Sequence, residues 1–97
     1  MAIGVTFKFP GGTVEQYEEV CRGLNNGRPM RSLADWPEGG CLSHTVGTTT
    51  DGLQVMDVWD SVEKFQAFGE KLLPLVQKAG LKPDEPVVFL VHNFVNQ

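Results

Sequence analysis

The sequence predicts one small α+β domain whose elements run β-α-β-β-α-β. Three observations carry this reading: strict two-residue alternation near the start, two stretches of helical periodicity that each follow a capping pattern, and a hairpin dipeptide between two further extended runs. Residues 1–97 fit a single domain and leave no room for a second.

The elements follow in order. In residues 3–9, Ile3, Val5, Phe7 and Phe9 point one way and Gly4, Thr6 and Lys8 the other, which makes a strand. Pro10-Gly11-Gly12 ends it. Thr13 and Gln16 have capping-box spacing, and Tyr17, Val20, Cys21 and Leu24 then form one apolar helical stripe. Asn25-Asn26-Gly27 tolerates the left-handed backbone that closes a helix. Residues 28–40 lack a period and read as a long ordered loop. Residues 41–48 and 53–59 form two strands around a Thr49–Gly52 turn that contains Asp51-Gly52. Asp60 or Ser61 caps a second helix with Phe65, Phe68, Leu72, Leu73 and Val76 on its stripe. Pro74 is expected to kink that helix or end its first segment, and Gly80 terminates it. Residues 87–95 read as a last strand, apolar on both faces.

This is the split βαβ, or ferredoxin-like, order: a four-stranded antiparallel sheet with both helices on one face. The last strand leaves apolar side chains on the uncovered face, and a second copy of the chain is the simplest cover. The expected assembly is therefore a homodimer. Composition excludes other partners. The net charge of −4 disfavours nucleic acid and anionic membrane surfaces, and no apolar run reaches the length of a membrane span. Met1 to Pro10 reads as a strand rather than a signal peptide. Cys21 and Cys41 make no CxxC motif and read as small apolar fillers in a reducing compartment, so a cytoplasmic protein is expected.

The stretch Val55-Met56-Asp57-Val58-Trp59-Asp60-Ser61, with Glu63, Phe65 and Phe68 after it, resembles the antibiotic biosynthesis monooxygenase-like group of dimeric α+β barrel proteins. Pro37-Glu38-Gly39-Gly40-Cys41-Leu42-Ser43-His44 and Val91-His92-Asn93 add to the likeness, which spans nearly the whole chain. The resemblance implies a dimeric barrel with an interior ligand pocket. It also implies a possible cofactor-independent monooxygenase, or an isomerase, acting on a small aromatic or hydrophobic molecule. Haem-degrading relatives use an Asn in the first strand and a Trp and a His in the second helix, and all three are missing here. Quinone-forming relatives share the Trp that ends the third strand, matching Trp59, but their Asn four residues earlier falls on Val55.

The hairpin supplies the candidate chemistry. Loops of two or four residues pair positions with an odd sum, which places His44 on the same face as Leu53, Val55, Asp57 and Trp59. A His beside a carboxylate in a partly apolar cavity can act as a general base, the carboxylate fixing its tautomer. His44 is thus the expected base and Asp57 its orienter, with a mutually satisfied structural pair as the plain alternative. If the resemblance holds, this face is the barrel interior. Trp59, Val5, Phe7, Leu42, Val55, His92 and Trp36 are then the expected ligand-binding residues. Arg28, Arg31 and Trp36 can form a lid from the loop, though loop arginines are more often simply solvated. His44, His92 and Asp57 have the types of a two-His-one-carboxylate site, but no ligands at short spacing accompany them, so neither metal nor cofactor is expected. The opposing reading is a non-catalytic module that binds a hydrophobic metabolite.

Overall fold

The computed structural model describes residues 1–37 and 39–95. Glu38, part of the loop stretch that carries the resemblance, lies outside the described residues. The order is β1 (Ile3–Pro10), α1 (Val14–Leu24), a single 3-10 turn (Leu33–Asp35), β2 (Cys41–Thr49), β3 (Gly52–Trp59), α2 (Val62–Lys78) and β4 (Val87–Leu90). The strands form one antiparallel sheet in the spatial order β2-β3-β1-β4. The expected ferredoxin-like arrangement is therefore present, with both helices against one face.

Local chemistry sets each helix boundary. Thr13 and Gln16 close the capping box, with Thr13 Oγ1 accepting from the Gln16 N–H and Gln16 Oε1 accepting from the Thr13 N–H. Asn26 (φ 54) and Gly27 (φ 86) take the left-handed turn after α1. Ser61, rather than Asp60, caps α2 by accepting from the Lys64 N–H. α2 does not end at Pro74. That residue is exposed, so the carbonyl it leaves without a helical partner can be hydrated.

The odd-numbered residues of β1 and β3 face the helices. Val5 and Trp59 are fully buried there, with Ile3, Phe7, Phe9, Leu53 and Val55 around them. Val20 of α1 and Phe68 and Val76 of α2 complete the core from above. This corrects the sequence-based placement of the Trp59 face as a barrel interior. Both helical stripes need an apolar partner within the chain, and the odd-numbered face is the one that offers it. Thr6, Lys8, Thr45, Gln54 and Met56 point to the opposite, open face.

Two further expectations are corrected. β4 ends at Leu90, and all four of its residues are exposed, so His92 continues no strand. The chain needed only a four-residue edge to complete β1, whose pairing with β4 stops at Ile3↔Leu90. Second, the β2–β3 ladder keeps the odd-sum register from Thr49↔Gly52 through Ser43↔Val58, then slips at a bulge so that Cys41 pairs with Trp59. Leu42 is thereby turned outward and Cys41 inward.

The β2–β3 turn depends on Gly52. Its φ is +143°, and a Cβ there would strike the Phe9 carbonyl oxygen. The neighbouring chain is fixed by the Gly11 N–H donating to the Asp51 carbonyl at 2.7 Å. Gly52→Ala is expected to destabilise the domain by about 1–3 kcal/mol in urea unfolding. Gly47→Ala, whose Cβ meets nothing within 4 Å, is expected to change stability by less than about 0.5 kcal/mol.

The two thiols are buried and unpaired with each other. Burial, followed by the nearby charge of Asp57, pushes the Cys41 thiol up to about 12, and burial likewise raises Cys21. Below the ordinary thiol value the folded and unfolded chains hold these protons alike. As pH rises from about 9 toward 12, the unfolded chain releases them first, so stability falls. Urea midpoints measured at pH 7, 9 and 10.5 are expected to decline over the last interval. At pH 8 a thiol reagent is expected to label the native protein far more slowly than the unfolded one.

Candidate functional site

The site begins with the β2–β3 register. His44 lies directly opposite Asp57, and His44 Nδ1 is 2.6 Å from Asp57 Oδ1. Asp57 is 3% exposed, so its charge cannot rely on water. Its second oxygen, Oδ2, accepts from Trp59 Nε1 at 3.3 Å. Trp59 lies two residues along the same face of β3 and is wedged against Phe65 and Phe68 of α2. Both carboxylate oxygens thus accept hydrogen bonds, and both donors sit on rigid elements.

The far side of the imidazole is also occupied. Tyr17 Oη is 2.7 Å from His44 Nε2, and the two rings lie 8° from parallel. Tyr17 comes from the buried stripe of α1, held at its level by the Thr13–Gln16 cap one turn earlier. Burial, followed by the adjacent Cys21, Glu18 and Asp57, pushes the Tyr17 phenol well above its ordinary value. Tyr17 therefore keeps its proton; the Asp57 carboxylate can only accept, so the His44 Nδ1–H donates to it, and Nε2 of the neutral imidazole accepts from the Tyr17 hydroxyl. The direction of the whole chain, Tyr17 to His44 to Asp57, follows from that one assignment.

Trp36 packs over the imidazole, its ring centroid 4.7 Å from that of His44, which leaves the His44 side chain 15% exposed. Trp36 is delivered by the 28–40 loop. That loop is held by the Asp35 carboxylate, which accepts from the backbone N–H groups of Arg31 (2.8 Å) and Ser32 (3.1 Å). The same two bonds hold the Asp35 carboxyl below its usual range. The Trp36 indole nitrogen is buried with no hydrogen-bond partner among the described residues.

These side chains stand where two cavities meet. One, of about 40 Å³, lies between the sheet and the helices and is walled by Phe7, Val55, Phe68 and Leu72, with Tyr17, His44 and Asp57 as its polar groups. The other, of about 550 Å³, is an open groove between the loop and β2, bounded by Arg31, Leu33, Leu42 and Ser43. Tyr17, Met30, Trp36 and His44 belong to both.

Of the residues expected from sequence, His44, Asp57, Phe7, Val55 and Trp36 come together around the inner cavity. Leu42 reaches only the outer groove, because of the bulge. Val5 and Trp59 are packed solid behind the site, Trp59 as a donor to Asp57 rather than as an exposed stacking wall. His92 lies beyond β4, exposed, at the sheet edge opposite β2. Among the described residues no group of three or more His, Cys, Asp and Glu is placed to hold a metal ion. Tyr17 is the residue of this cluster that sequence reasoning misses: the stripe pattern accounts for it as apolar, yet it is the chain's one tyrosine, and a tyrosine on a buried stripe needs a partner for its hydroxyl.

No protein-family model matches the sequence, and no curated protein matches it significantly. Solved structures do match. SnoaB, a cofactor-independent oxygenase from Streptomyces nogalater, aligns over 99% of this chain and 97% of its own with a TM-score of 0.61 and 16% identity. A candidate monooxygenase from Shewanella loihica PV-4 aligns over 96% of both chains with a TM-score of 0.56 and 19% identity. The protein YJCS aligns over 95% of this chain and all of its own with a TM-score of 0.61 and 9% identity. The chain has the ferredoxin-like fold of these proteins, from end to end.

Proposed function

We propose that this protein is a cofactor-independent monooxygenase for a small aromatic or hydrophobic molecule. The observation that carries the reading is the His44–Asp57 pair, 2.6 Å apart and buried at the polar end of an otherwise apolar cavity. The fold shared with a cofactor-independent oxygenase points the same way.

The chemistry follows from the pair. A phenol, or a carbon acid beside a carbonyl, loses its proton to the base, and Asp57 stabilises the imidazolium that forms. The resulting carbanion is electron-rich enough to pass one electron to dioxygen. Recombination of the radical pair gives a peroxide on carbon. His44 returns the proton to that peroxide. Loss of water, taking a second hydrogen from the same carbon, leaves a carbonyl. One oxygen atom ends in the product and one in water. The hydrocarbon body lies in the outer groove along Leu33, Leu42 and Val46, and the apolar walls of the inner cavity, Phe7, Val55, Phe68 and Leu72, keep bulk water from the pair.

The expected assembly is a homodimer formed through the open face. Met56 is 54% exposed there, and Phe89 is 51% exposed with its ring lying over Gly4. Val87 stands on the same face beside Thr6. A second copy would remove this apolar surface from water. No helix of the described residues is long and apolar enough to cross a membrane.

Oxygen uptake with a panel of naphthols and naphthalenediols tests the activity. His44→Asn is the informative variant, since its amide can still donate to Asp57 while the base is gone. It is expected to slow turnover about 10²–10⁴-fold with the fold retained. Ligand binding without oxygen uptake in either protein would favour the binding module instead. Light scattering tests the assembly. A dimeric mass is expected, falling to that of a monomer in Met56→Lys/Phe89→Lys, and a monomeric parent would refute the barrel.

A further inference from the structure

His44 has no free basic atom. Nδ1 is engaged by Asp57 at 2.6 Å, Nε2 by Tyr17 Oη at 2.7 Å, and the ring face by Trp36. A substrate in the adjoining groove cannot hand its proton directly to the imidazole unless one of these partners leaves. Tyr17 is poorly placed to leave. It belongs to a capped helix, it is backed by Val20 and Cys21 at the sheet, and its ring lines both cavities. A phenolic oxygen that donates its own hydrogen still has lone pairs to accept another.

We propose that Tyr17 Oη is the atom that meets the substrate, and that His44 receives the proton through it. The proposal rests on the proton-abstraction reading above and adds a catalytic residue to it. As the substrate's O–H or C–H proton moves onto Tyr17 Oη, Tyr17's own hydroxyl proton moves onto His44 Nε2. Tyr17 is neutral before and after. The substrate becomes an anion, and His44 becomes an imidazolium whose Nδ1–H is already held by the Asp57 carboxylate. Charge and protons balance within the site. Asp57 is a positioning residue in this relay, and Trp59 positions Asp57 in turn by donating to its second oxygen at 3.3 Å. The ionisable groups facing Tyr17 are Cys21 and Glu18 from α1 and His44 and Asp57 from the sheet.

The relay also narrows the ligand. The acidic group must reach Tyr17 at the junction of the two cavities, so it projects from the edge of the molecule, and the apolar body lies in the outer groove along Leu33, Leu42 and Val46, the inner cavity being about 40 Å³. A hydroxyl on the rim of a fused or substituted aromatic ring has this shape.

Two measurements on the full chain test it. Nitrogen-15 NMR of the ligand-free protein reads the His44 tautomer directly. The Nδ1–H form with a hydrogen-bonded Nε2 is expected, and the Nε2–H form would overturn the proposal, because Tyr17 would then be an acceptor. The second measurement uses saturating 4-nitrophenol, whose phenol and phenolate absorb differently. The wild type is expected to ionise the bound probe with a midpoint at least about tenfold more favourable in proton activity than in free solution. Tyr17→Phe is expected to lose that shift while keeping the His44 tautomer and its thermal midpoint, and His44→Asn is expected to lose it too. Retention of the shift in Tyr17→Phe but not in His44→Asn would overturn Tyr17's role and leave His44 as the direct base. Equal ionisation by the wild type and His44→Asn would instead defeat the proton-abstraction reading itself.

Discussion

A carboxylate placed where water cannot reach it has to be met by donors, and Asp57 is the one buried charged side chain among the described residues. Leaving such a group unmatched costs several kcal/mol, so the elements around it are not free to choose their registers. β2 must present His44 directly opposite. β3 must carry Trp59 two residues on, with its indole nitrogen turned back toward the carboxylate. α2 must then supply Phe65 and Phe68 to hold that indole. α1 must bring Tyr17 to the imidazole's other nitrogen, because His44 is itself largely buried and its Nε2 needs a partner. One ionisable group thereby couples the hairpin to both helices. The coupling is polar inside a core that is otherwise apolar, which makes it a constraint on uniqueness as much as on stability.

The fold was legible because its signals are local. Alternation in residues 3–9 needs no knowledge of the rest of the chain, nor does the Thr13–Gln16 cap or the Asp51-Gly52 turn. The His44–Asp57 pairing was legible for a stronger reason. A two-residue loop fixes the parity of every pair in a hairpin, so facing residues can be read from their numbers alone. What was lost depended on information outside the hairpin. Nothing in residues 41–43 announces a bulge, and the bulge decides that Cys41 rather than Leu42 turns inward. The identity of the covered face depends on where two helices settle, and Tyr17's partner depends on α1 crossing β2 at one particular level. His92 was misplaced because an apolar run can be an edge strand that stops early: only β1 is available to pair with it, and that ladder ends at Ile3.

Residues 31–36 show how an aperiodic segment can still be ordered by its own hydrogen bonds. Asp35 gathers the Arg31 and Ser32 N–H groups, which turns the chain through the 3-10 turn and aims Trp36 at the imidazole. At the far end of the 28–40 loop the Gly40 carbonyl accepts from the Asp60 N–H at 2.8 Å, tying the loop to the start of α2. The loop is anchored at both ends to the elements that build the site, and Met30 and Trp36 form the partition between the outer groove and the inner cavity. Arg31 lies on the groove side of that partition.

The relation between this site and its fold is clearest at Val55. In the quinone-forming proteins that the sequence resembles, an Asn stands at the matching position, four residues before their Trp. Here the position is aliphatic and faces the inner cavity. The polar atoms come instead from the neighbouring strand and from the helix above it, as His44 and Tyr17. A sheet face packed under two helices offers many positions that point into one small volume, and hydrogen-bonding groups can move among them while the backbone stays the same. Such relocation has a condition. Each new polar group must arrive with its partners, since an unpaired imidazole or carboxylate at this depth would cost more than the fold can spare. In this chain that condition is met through the sequence Tyr17, His44, Asp57, Trp59, each group satisfying the next. The same continuity that makes the cluster tolerable in a core is what would let a proton cross it.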